Sequence, residues 1–210
     1  MTDVTPVRRS RGRAPDPSRV AQTRQQILHA ALDSFLAHGF EGTRMADVAA
    51  RAGLAKGTLY LHFADKAALF EFVLRELVSE PIARFAAHPA PDGETVRAFL
   101  QRLILPLLRD LEGSGRGAVL RLILAEGARS PELAAMHRRL VIEPALQAVR
   151  QKVDAAVARG NAHLAPLLRF PQLVAGPVLL GTIWIGFWGR DQPLDTAAMF
   201  EAFLDLIFAD

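Results

Sequence analysis

The stretch LAKGTLYLHF, residues 54–63, carries the side chains whose chemistry is easiest to interpret. Lys56 can reach a phosphate or a guanine edge, Thr58 a base edge or a phosphate, and Tyr60 a phosphate or a thymine methyl. Gly57 lies among them, although a glycine inside a helix costs about 1 kcal/mol relative to alanine. Two explanations are open from the sequence: Gly57 lets DNA approach the helix backbone, or it admits a neighbouring helix.

Apolar spacing indicates how this stretch is held. Ala55, Leu59 and Phe63 recur every four residues, which predicts the inward face of a short helix. An earlier short helix, capped by Thr43, precedes a turn at Gly53. In helix-turn-helix proteins, two short helices joined in this way place the second one in the major groove of DNA. The polar residues of the second helix are therefore predicted to face DNA.

The predicted fold class is all-α, because helical spacing recurs along the chain and strand-like alternation never persists. Gly39 is the expected stop of the first helix, and Asp65 is the expected cap of the fourth. Pro81 should end that fourth helix, and Pro144 should kink or divide a later, long one. The predicted helices cover about residues 18–38, 43–52, 55–63, 65–80, 82–87, 95–111, 116–128, 130–159, 171–188 and 194–208.

The charge distribution favours a polyanionic partner at the N-terminal end. Residues 1–70 hold 10 Lys and Arg against 6 Asp and Glu, whereas residues 71–210 hold 15 against 16. A solvated basic tail explains the same excess, and both explanations stay open. Residues 1–18 are basic, contain prolines and lack the apolar segment of a signal peptide, so we expect a disordered tail and a cytoplasmic protein.

Catalytic and metal sites are not predicted. The 210 residues include no cysteine, which excludes disulfides, thiolate metal sites and cysteine nucleophiles. No H-E-x-x-H, P-loop or G-x-S-x-G motif occurs, and the six histidines are scattered without ligand spacing. We therefore expect no enzyme activity, no cofactor and no metal ion.

Residues 24–75 resemble the N-terminal DNA-binding domain of the TetR family of bacterial transcriptional regulators. The resemblance lies in ILHAALDSF, HGFEGTRMADVAARAGL, KGTLYLHF and DKAAL, which occur in this order. Two positions depart from the family pattern: Ala55, where members often have serine, and Leu61, where many have an aromatic or polar residue. The residues to which the resemblance assigns DNA contacts are Thr43, Arg44, Lys56, Gly57, Thr58, Tyr60, His62 and Lys66.

The resemblance also implies a domain organisation and a mechanism. Residues 1–18 would be the tail, 19–65 the helix-turn-helix DNA-binding domain, and 66–210 a larger helical domain for ligand binding and dimerisation. The implied protein is a repressor that binds a palindromic double-stranded DNA operator as a homodimer, lies on the nucleoid when bound, and is released by a small lipophilic effector. Two alternatives are kept: a membrane-anchored helical protein that uses the uncharged segment 170–189, and a ligand-binding dimer without regulatory activity.

Two sets of residues in the C-terminal domain are candidates for ligand binding and dimerisation. Glu126 interrupts an apolar stripe, and it either faces a cavity or pairs with Arg121 or Arg139. The candidate ligand-binding residues are Phe99, Leu103, Leu107, Leu120, Ile123, Leu124, Glu126, Met136, Leu140 and Trp184. The candidate dimer-interface residues are Leu173, Val178, Gly181, Ile185, Phe200, Phe203, Leu204 and Ile207.

Overall fold

A computed structural model of the chain describes residues 17–87, 91 and 93–208, so residues 1–16 of the predicted tail lie outside the described part. All the regular elements in these ranges are helices, which confirms the all-α class. The α-helices are α1 Pro17–Gly42, α2 Met45–Arg51, α3 Lys56–His62, α4 Lys66–Leu74, α5 Glu80–Ala87, α6 Val96–Leu108, α7 Arg116–Glu126, α8 Pro131–His137, α9 Glu143–Ala158, α10 Ala165–Arg169, α11 Gly176–Trp188 and α12 Thr196–Ile207.

Local signals fix where several of these helices begin and end. The side chains of Asp65, Asp195 and Thr95 each accept a hydrogen bond from the backbone N–H three residues later, at 2.8, 2.9 and 3.1 Å. These contacts cap the first turns of α4, α12 and α6. Gly39 interrupts α1 with φ 69° and ψ 176°, a conformation that glycine adopts without strain. The predictions for Asp65 and Gly39 are therefore confirmed.

The segment that starts with α4 continues through a proline, because the turn before the proline is widened. The π-helical turn Arg75–Ser79 joins α4 to α5, and Glu80 donates its N–H to the carbonyl of Arg75. A proline in a regular α-helix removes one hydrogen bond and clashes with the carbonyl four residues earlier. The shifted hydrogen-bond register lets the helix pass Pro81 and reach Ala87. The prediction that Pro81 ends this helix is wrong.

The same arrangement recurs between α8 and α9. The π-helical turn Arg138–Ile142 joins these helices, and Glu143 donates its N–H to the carbonyl of Arg138. Pro144 follows in the first turn of α9. The π-helical turn interrupts the predicted long α-helix just before this proline, as the expected division requires, but the helical segment continues past Pro144 as it does past Pro81. The two π-helical turns contact each other, which brings the two proline-containing segments together.

Two hydrophobic clusters fill the interior. The first contains the rings of Phe35, Phe40 and Phe70, whose centroids lie 5.0–6.0 Å apart, together with Leu59 of α3 and residues of α7 and α8. The second is built mainly by α6, α9, α10 and α12. Ile82 of α5 packs against both clusters. The first cluster thus takes side chains from both sides of the predicted domain boundary, which itself remains a prediction.

Candidate nucleic-acid interface and internal cavity

Buried side chains hold α2 and α3 together. Val48 of α2 and Leu59 of α3 are fully buried in the first cluster. Gly53 forms the turn between the helices with φ 69°, in the left-handed region that favours glycine. Phe63, which follows α3, is half-buried. Ala55 is exposed, so its predicted inward position is wrong; it is the residue before α3, and the helical periodicity begins only after it.

The opposite face of α3 is open to solvent. Lys56, Tyr60, Leu61 and His62 are exposed, with Tyr60 at 44% and Leu61 at 86%, and Thr58 is half-buried. Lys56 Nζ lies 5.8 Å from the centroid of the Tyr60 ring, a cation–π arrangement. The face combines a cation, a phenol, an imidazole and an apolar side chain on one short helix. Such groups bind phosphates, base edges and thymine methyls.

Packing inside the chain does not require a glycine at position 57. A Cβ built on Gly57 has no atom of the described residues within 4 Å. Its φ is not positive either, so the backbone conformation suits any residue. Gly181 of α11 is different, because a Cβ there would clash with Thr196 of α12. Among the described residues, therefore, no neighbouring helix explains the glycine at position 57.

The two residues before α2 differ in exposure. Thr43 is 4% exposed, and its hydroxyl lies 2.7 Å from the carbonyl oxygen of Gly39 and 3.1 Å from that of Ser34. The N-cap position belongs to Arg44, so the prediction that Thr43 caps α2 is wrong. The buried hydroxyl of Thr43 is bonded inside the protein and does not face outwards. Arg44 is exposed and forms no ion pair within the described ranges.

Lys66 has internal partners at the start of α4. Its Nζ donates to the Glu41 carboxylate at 2.7 Å and to the Glu41 carbonyl at 3.0 Å. The same nitrogen lies 4.8 Å from the centroid of the Phe40 ring. A cation at a helix N-terminus opposes the helix dipole, and these contacts offset that cost without a phosphate. The predicted phosphate contact of Lys66 would have to compete with Glu41.

A cavity of about 140 Å³ lies among α5, α6, α7, α8, α9, α11 and the two π-helical turns. Its wall is aliphatic except for two residues, Arg116 and His137. The predicted ligand-binding residues that line it are Leu103, Leu107 and Leu120.

The other predicted ligand-binding residues lie outside this cavity, because each helix presents only one stripe to it. Those that pack into the two hydrophobic clusters are Phe99, Ile123, Met136 and Leu140. Leu124 is 44% exposed on the outer side of α7. Trp184 donates its Nε1–H to the carbonyl of Gln192 at 2.9 Å. Residue type alone could not give the rotation of each helix about its axis.

Glu126 makes a contact that neither sequence alternative includes. Its Oε2 accepts a hydrogen bond from the backbone N–H of Phe40 at 2.8 Å, and a Cβ at Gly39 would clash with its carboxylate. Glu126 therefore links the end of α7 to the end of α1, instead of lining the cavity or pairing with Arg121 or Arg139. Those arginines pair with Glu112 and Glu71. Only the fold brings α7 beside Gly39.

Sequence reasoning missed Arg116 and His137. Arg116 Nε and His137 Nε2 are buried and have no hydrogen-bond partner in the structure. Burial lowers the pKa of the His137 imidazole. Burial also lowers the pKa of the Arg116 guanidinium, partly opposed by the negative charge of Asp110. Nothing in the local sequence marks these residues, because their shared wall forms only when α7 and α8 pack together.

The predicted dimer-interface residues divide between the core and the surface. Phe200 and Leu204 are fully buried within the chain, and Gly181 packs against α12. Of the predicted residues, Leu173 is the one that is exposed, at 51%. Those that are half-buried are Val178, Ile185, Phe203 and Ile207. Amphipathic spacing identified these helices as apolar on more than one face but could not say which face the chain itself covers.

A set of large apolar side chains instead stands exposed on the two adjacent helices α11 and α12. Its members are Leu180, Ile183, Phe187, Trp188 and Leu206. Phe187 and Leu206 are 78% and 81% exposed. We call these five exposed side chains the outer apolar face.

By length and composition alone, the helical segment Pro171–Trp188 is the one described segment that is apolar enough to cross a membrane.

Two family models match the chain. Residues 27–73 match "Bacterial regulatory proteins, tetR family", and residues 90–206 match "Tetracyclin repressor-like, C-terminal domain". The first model contains α2 and α3, and the second contains most of the cavity wall and the outer apolar face.

Known proteins agree with these matches. The HTH-type transcriptional regulator UidR of Escherichia coli strain K12 is 32% identical over 114 residues, which cover 54% of this chain and 56% of UidR. RutR of the same strain, also an HTH-type transcriptional regulator, is 31% identical over 127 residues, 59% of each chain. The chain therefore matches little more than half the length of these relatives. The solved structure of the transcriptional regulator FadR from Bacillus subtilis in complex with stearoyl-CoA has a TM-score of 0.66 at 20% identity, over 88% of this chain and 97% of that one.

Proposed function

The chain belongs to the TetR family of bacterial regulatory proteins, and on that basis we propose that it is a repressor released from its operator by a small lipophilic effector. Membership makes it a DNA-binding transcriptional regulator and not an enzyme, as its sequence predicts. We further propose that the protein works in the cytoplasm, and on the nucleoid when it is bound to DNA. A homodimer would bind a palindromic operator, with one recognition helix in each half-site.

The observation that carries the proposal is the open face of α3 around Gly57. The glycine leaves the helix backbone bare where no other part of the described chain approaches it. Lys56 flanks this bare backbone, and Arg44 at the start of α2 is a second exposed cation without an ion pair in the described ranges. Exposed cations beside bare backbone fit a phosphate chain and the base edges behind it. We therefore assign α3 as the recognition helix.

The outer apolar face supports the proposed homodimer. Exposed apolar side chains on two adjacent helices, α11 and α12, are suited to a four-helix contact with the same surface of a second copy. The segment that could cross a membrane by composition lies within the part of the chain matched by the family's C-terminal model. We therefore prefer a protein partner to a bilayer for this face.

A continuous helical path supports the proposed regulation. The path runs from Lys66 at the start of α4, through the π-helical turn Arg75–Ser79, to Ala87 at the end of α5. Lys66 contacts the end of α1 near the DNA-binding helices, while Val78 and Ile82 line the cavity. The Glu126 contact with Phe40 is a second connection between the two parts. Movement of the cavity wall would therefore reach the DNA-binding helices.

The size of the cavity indicates how an effector could cause such movement. Pockets for drug-sized ligands are typically about 300–1,000 Å³, larger than the cavity of about 140 Å³ in this structure. An effector larger than a short chain would have to displace the lining helices, so it would bind a different conformation more tightly. That differential affinity is what shifts a protein between a DNA-binding and a released state. The FadR structure, which holds stearoyl-CoA, supports a lipophilic class of effector.

The test is a selection of bound fragments from the source genome, starting with DNA upstream of the protein's own gene. We expect enrichment of a palindromic sequence, protection of two half-sites about one helical turn apart, and two protomers per site. Aliphatic molecules should then release the protein in a fluorescence anisotropy titration. Absence of any enriched sequence would favour the alternative of a ligand-binding dimer without regulatory activity, and a protein that stays soluble only in detergent would favour the membrane alternative.

A further inference from the structure

The cavity contains an unusual combination of an aliphatic wall and two buried nitrogens without partners. Buried polar atoms in folded proteins nearly always have a hydrogen-bond partner, because losing hydration without replacing it is destabilising. Arg116 Nε and His137 Nε2 are the buried side-chain atoms of the described residues that lack one. Both belong to residues that line the cavity. Two buried nitrogens without a hydrogen-bond partner thus lie on the wall of the same cavity, which calls for a common explanation.

Arg116 is paired less well than other arginines of the same domain. Its closest carboxylate approach is 3.7 Å, from Nη2 to Asp110 Oδ2, and its hydrogen bond to the Asp110 carbonyl is long at 3.4 Å. Arg102 and Arg121, by contrast, form 2.7 Å hydrogen bonds with carboxylates. The Arg116 side chain is nevertheless more buried than either, at 14% exposed against 23% and 28%. A largely buried cation whose counter-ion lies 3.7 Å away, beyond hydrogen-bond distance, can gain from a second, closer anion.

The position of Arg116 adds to this requirement. Arg116 is the first residue of α7, where the helix dipole disfavours a cation, and the first turn of α7 contains no acidic residue of its own. The nearby Glu112 carboxylate, which lies against Gly117, is paired with Arg121 instead of Arg116. An anion placed there would interact favourably with both the guanidinium and the helix terminus. His137, at the end of α8, offers a second nitrogen on the same cavity wall that can donate to an oxygen.

We propose that the effector is an amphipathic anion: an aliphatic chain with one acidic group, which Arg116 binds as an ion pair and His137 as a hydrogen-bond donor. The aliphatic wall, including Leu103, Leu107 and Leu120, contacts the chain. Polyols and nucleotides do not fit, because their many polar groups would find only two polar side chains. This inference rests on the proposed function, since it names the chemical class of the lipophilic effector.

The test compares straight-chain carboxylates, from hexanoate to dodecanoate, with the primary alcohols of the same lengths. Calorimetry on the full-length protein measures affinity, and anisotropy with labelled operator measures release. The wild-type protein should bind the carboxylate at least about tenfold more tightly than the matched alcohol, as expected for one charge-assisted hydrogen bond. In Arg116→Met this preference should disappear while the alcohol still binds. His137→Phe should reduce the preference by a smaller factor.

Arg102→Met is the matched control, because it removes a paired arginine of α6 that does not line the cavity. It should keep the preference for the carboxylate, and melting curves identify any variant that fails to fold. Equal affinity for carboxylate and alcohol in the wild type, or an unchanged preference in Arg116→Met, would overturn the inference. If the alcohols still release the operator, the proposed function survives that result. If neither series binds, the inference fails, and operator binding alone then decides whether the chain is a DNA-binding regulator.

Discussion

The surface around α2 and α3 and the internal cavity each hold a cation that has no hydrogen-bonded carboxylate among the described residues, but their surroundings differ. Lys56 and Arg44 lie in water, where an unpaired cation keeps its hydration and costs little. Arg116 lies against an aliphatic wall, where the lack of a hydrogen-bonded counter-ion costs much more free energy. The first region is suited to a long polyanion held by many exchangeable contacts. The second is suited to one acidic group in one place.

Ionic strength should separate the two regions most strongly. A dimer that makes about six or more phosphate contacts loses roughly a thousandfold in DNA affinity between about 50 and 200 mM salt, because bound counterions are released. Binding of an amphipathic anion in the cavity should change by less than about threefold, since a buried pair is weakly screened. Parallel titrations with operator and octanoate measure both. Equal salt dependence of the two affinities would contradict this difference between the two regions.

Lys56→Ala should lower the salt slope for DNA by about one unit for each phosphate that the lysine neutralises.

Breaking the proposed dimer should affect DNA binding and leave the cavity intact. Phe187→Asp combined with Leu206→Asp puts two charges into the outer apolar face, where both side chains are more than three-quarters exposed in a single protomer. We expect a folded monomer and a loss of operator affinity of about a hundredfold, because the second half-site no longer binds in the same complex. Light scattering and anisotropy measure these effects. A double variant that stays dimeric would place the interface elsewhere.

The Glu126 contact should matter for communication between the regions. Glu126→Ala leaves the Phe40 N–H without its partner, at a cost of about 1–2 kcal/mol in the free energy of unfolding. Glu126→Gln keeps an acceptor oxygen and should be closer to wild type. We expect Glu126→Ala to reduce the factor by which effector weakens DNA binding, measured as the ratio of operator affinities with and without octanoate. An unchanged ratio in a folded Glu126→Ala protein would exclude this contact from the coupling path.

The smallest expected effect concerns His137. Burial lowers its pKa in the folded state below the unfolded value of about 6.5. The unfolded chain therefore takes up the proton first as the pH falls, so the stability due to neutral His137 is complete above about pH 6.5 and is lost as the pH falls through the folded-state pKa. The melting temperature should decline between about pH 7.5 and 5.5, and His137→Phe should decline less. Parallel curves for the two proteins would contradict this assignment.

Sequence and structure agree at several positions where the information is local. Helical spacing, the Asp65 cap and the glycines at positions 39 and 53 depend on neighbours within a few residues, and the structure contains them. Helix α3 was predictable because a short motif holds its whole exposed face. Pro81 misled the prediction because a π-helical turn, which contacts its counterpart Arg138–Ile142, carries the helix through it.

The cavity and its connections could not be predicted in the same way. Arg116 and His137 are far from Leu103 in sequence, and only the rotation and packing of α6, α7 and α8 place them on one wall. The Glu126 contact depends likewise on where α7 meets the end of α1. Leu103 itself was predicted as a lining residue from apolar character alone, which does not distinguish a cavity wall from a core.

The assignment of α3 as the recognition helix is tested most directly by Gly57→Leu. Ala155→Leu, at an exposed position inside α9, adds a bulky side chain to a helix far from α3 in sequence and is the control. Leucine is the better helix former by several tenths of a kcal/mol, so Gly57→Leu should melt at or above the wild-type temperature. Its operator affinity should nevertheless fall by at least about a hundredfold, while Ala155→Leu keeps wild-type affinity. A Gly57→Leu protein that melts normally and binds the operator with unchanged affinity would contradict the assignment.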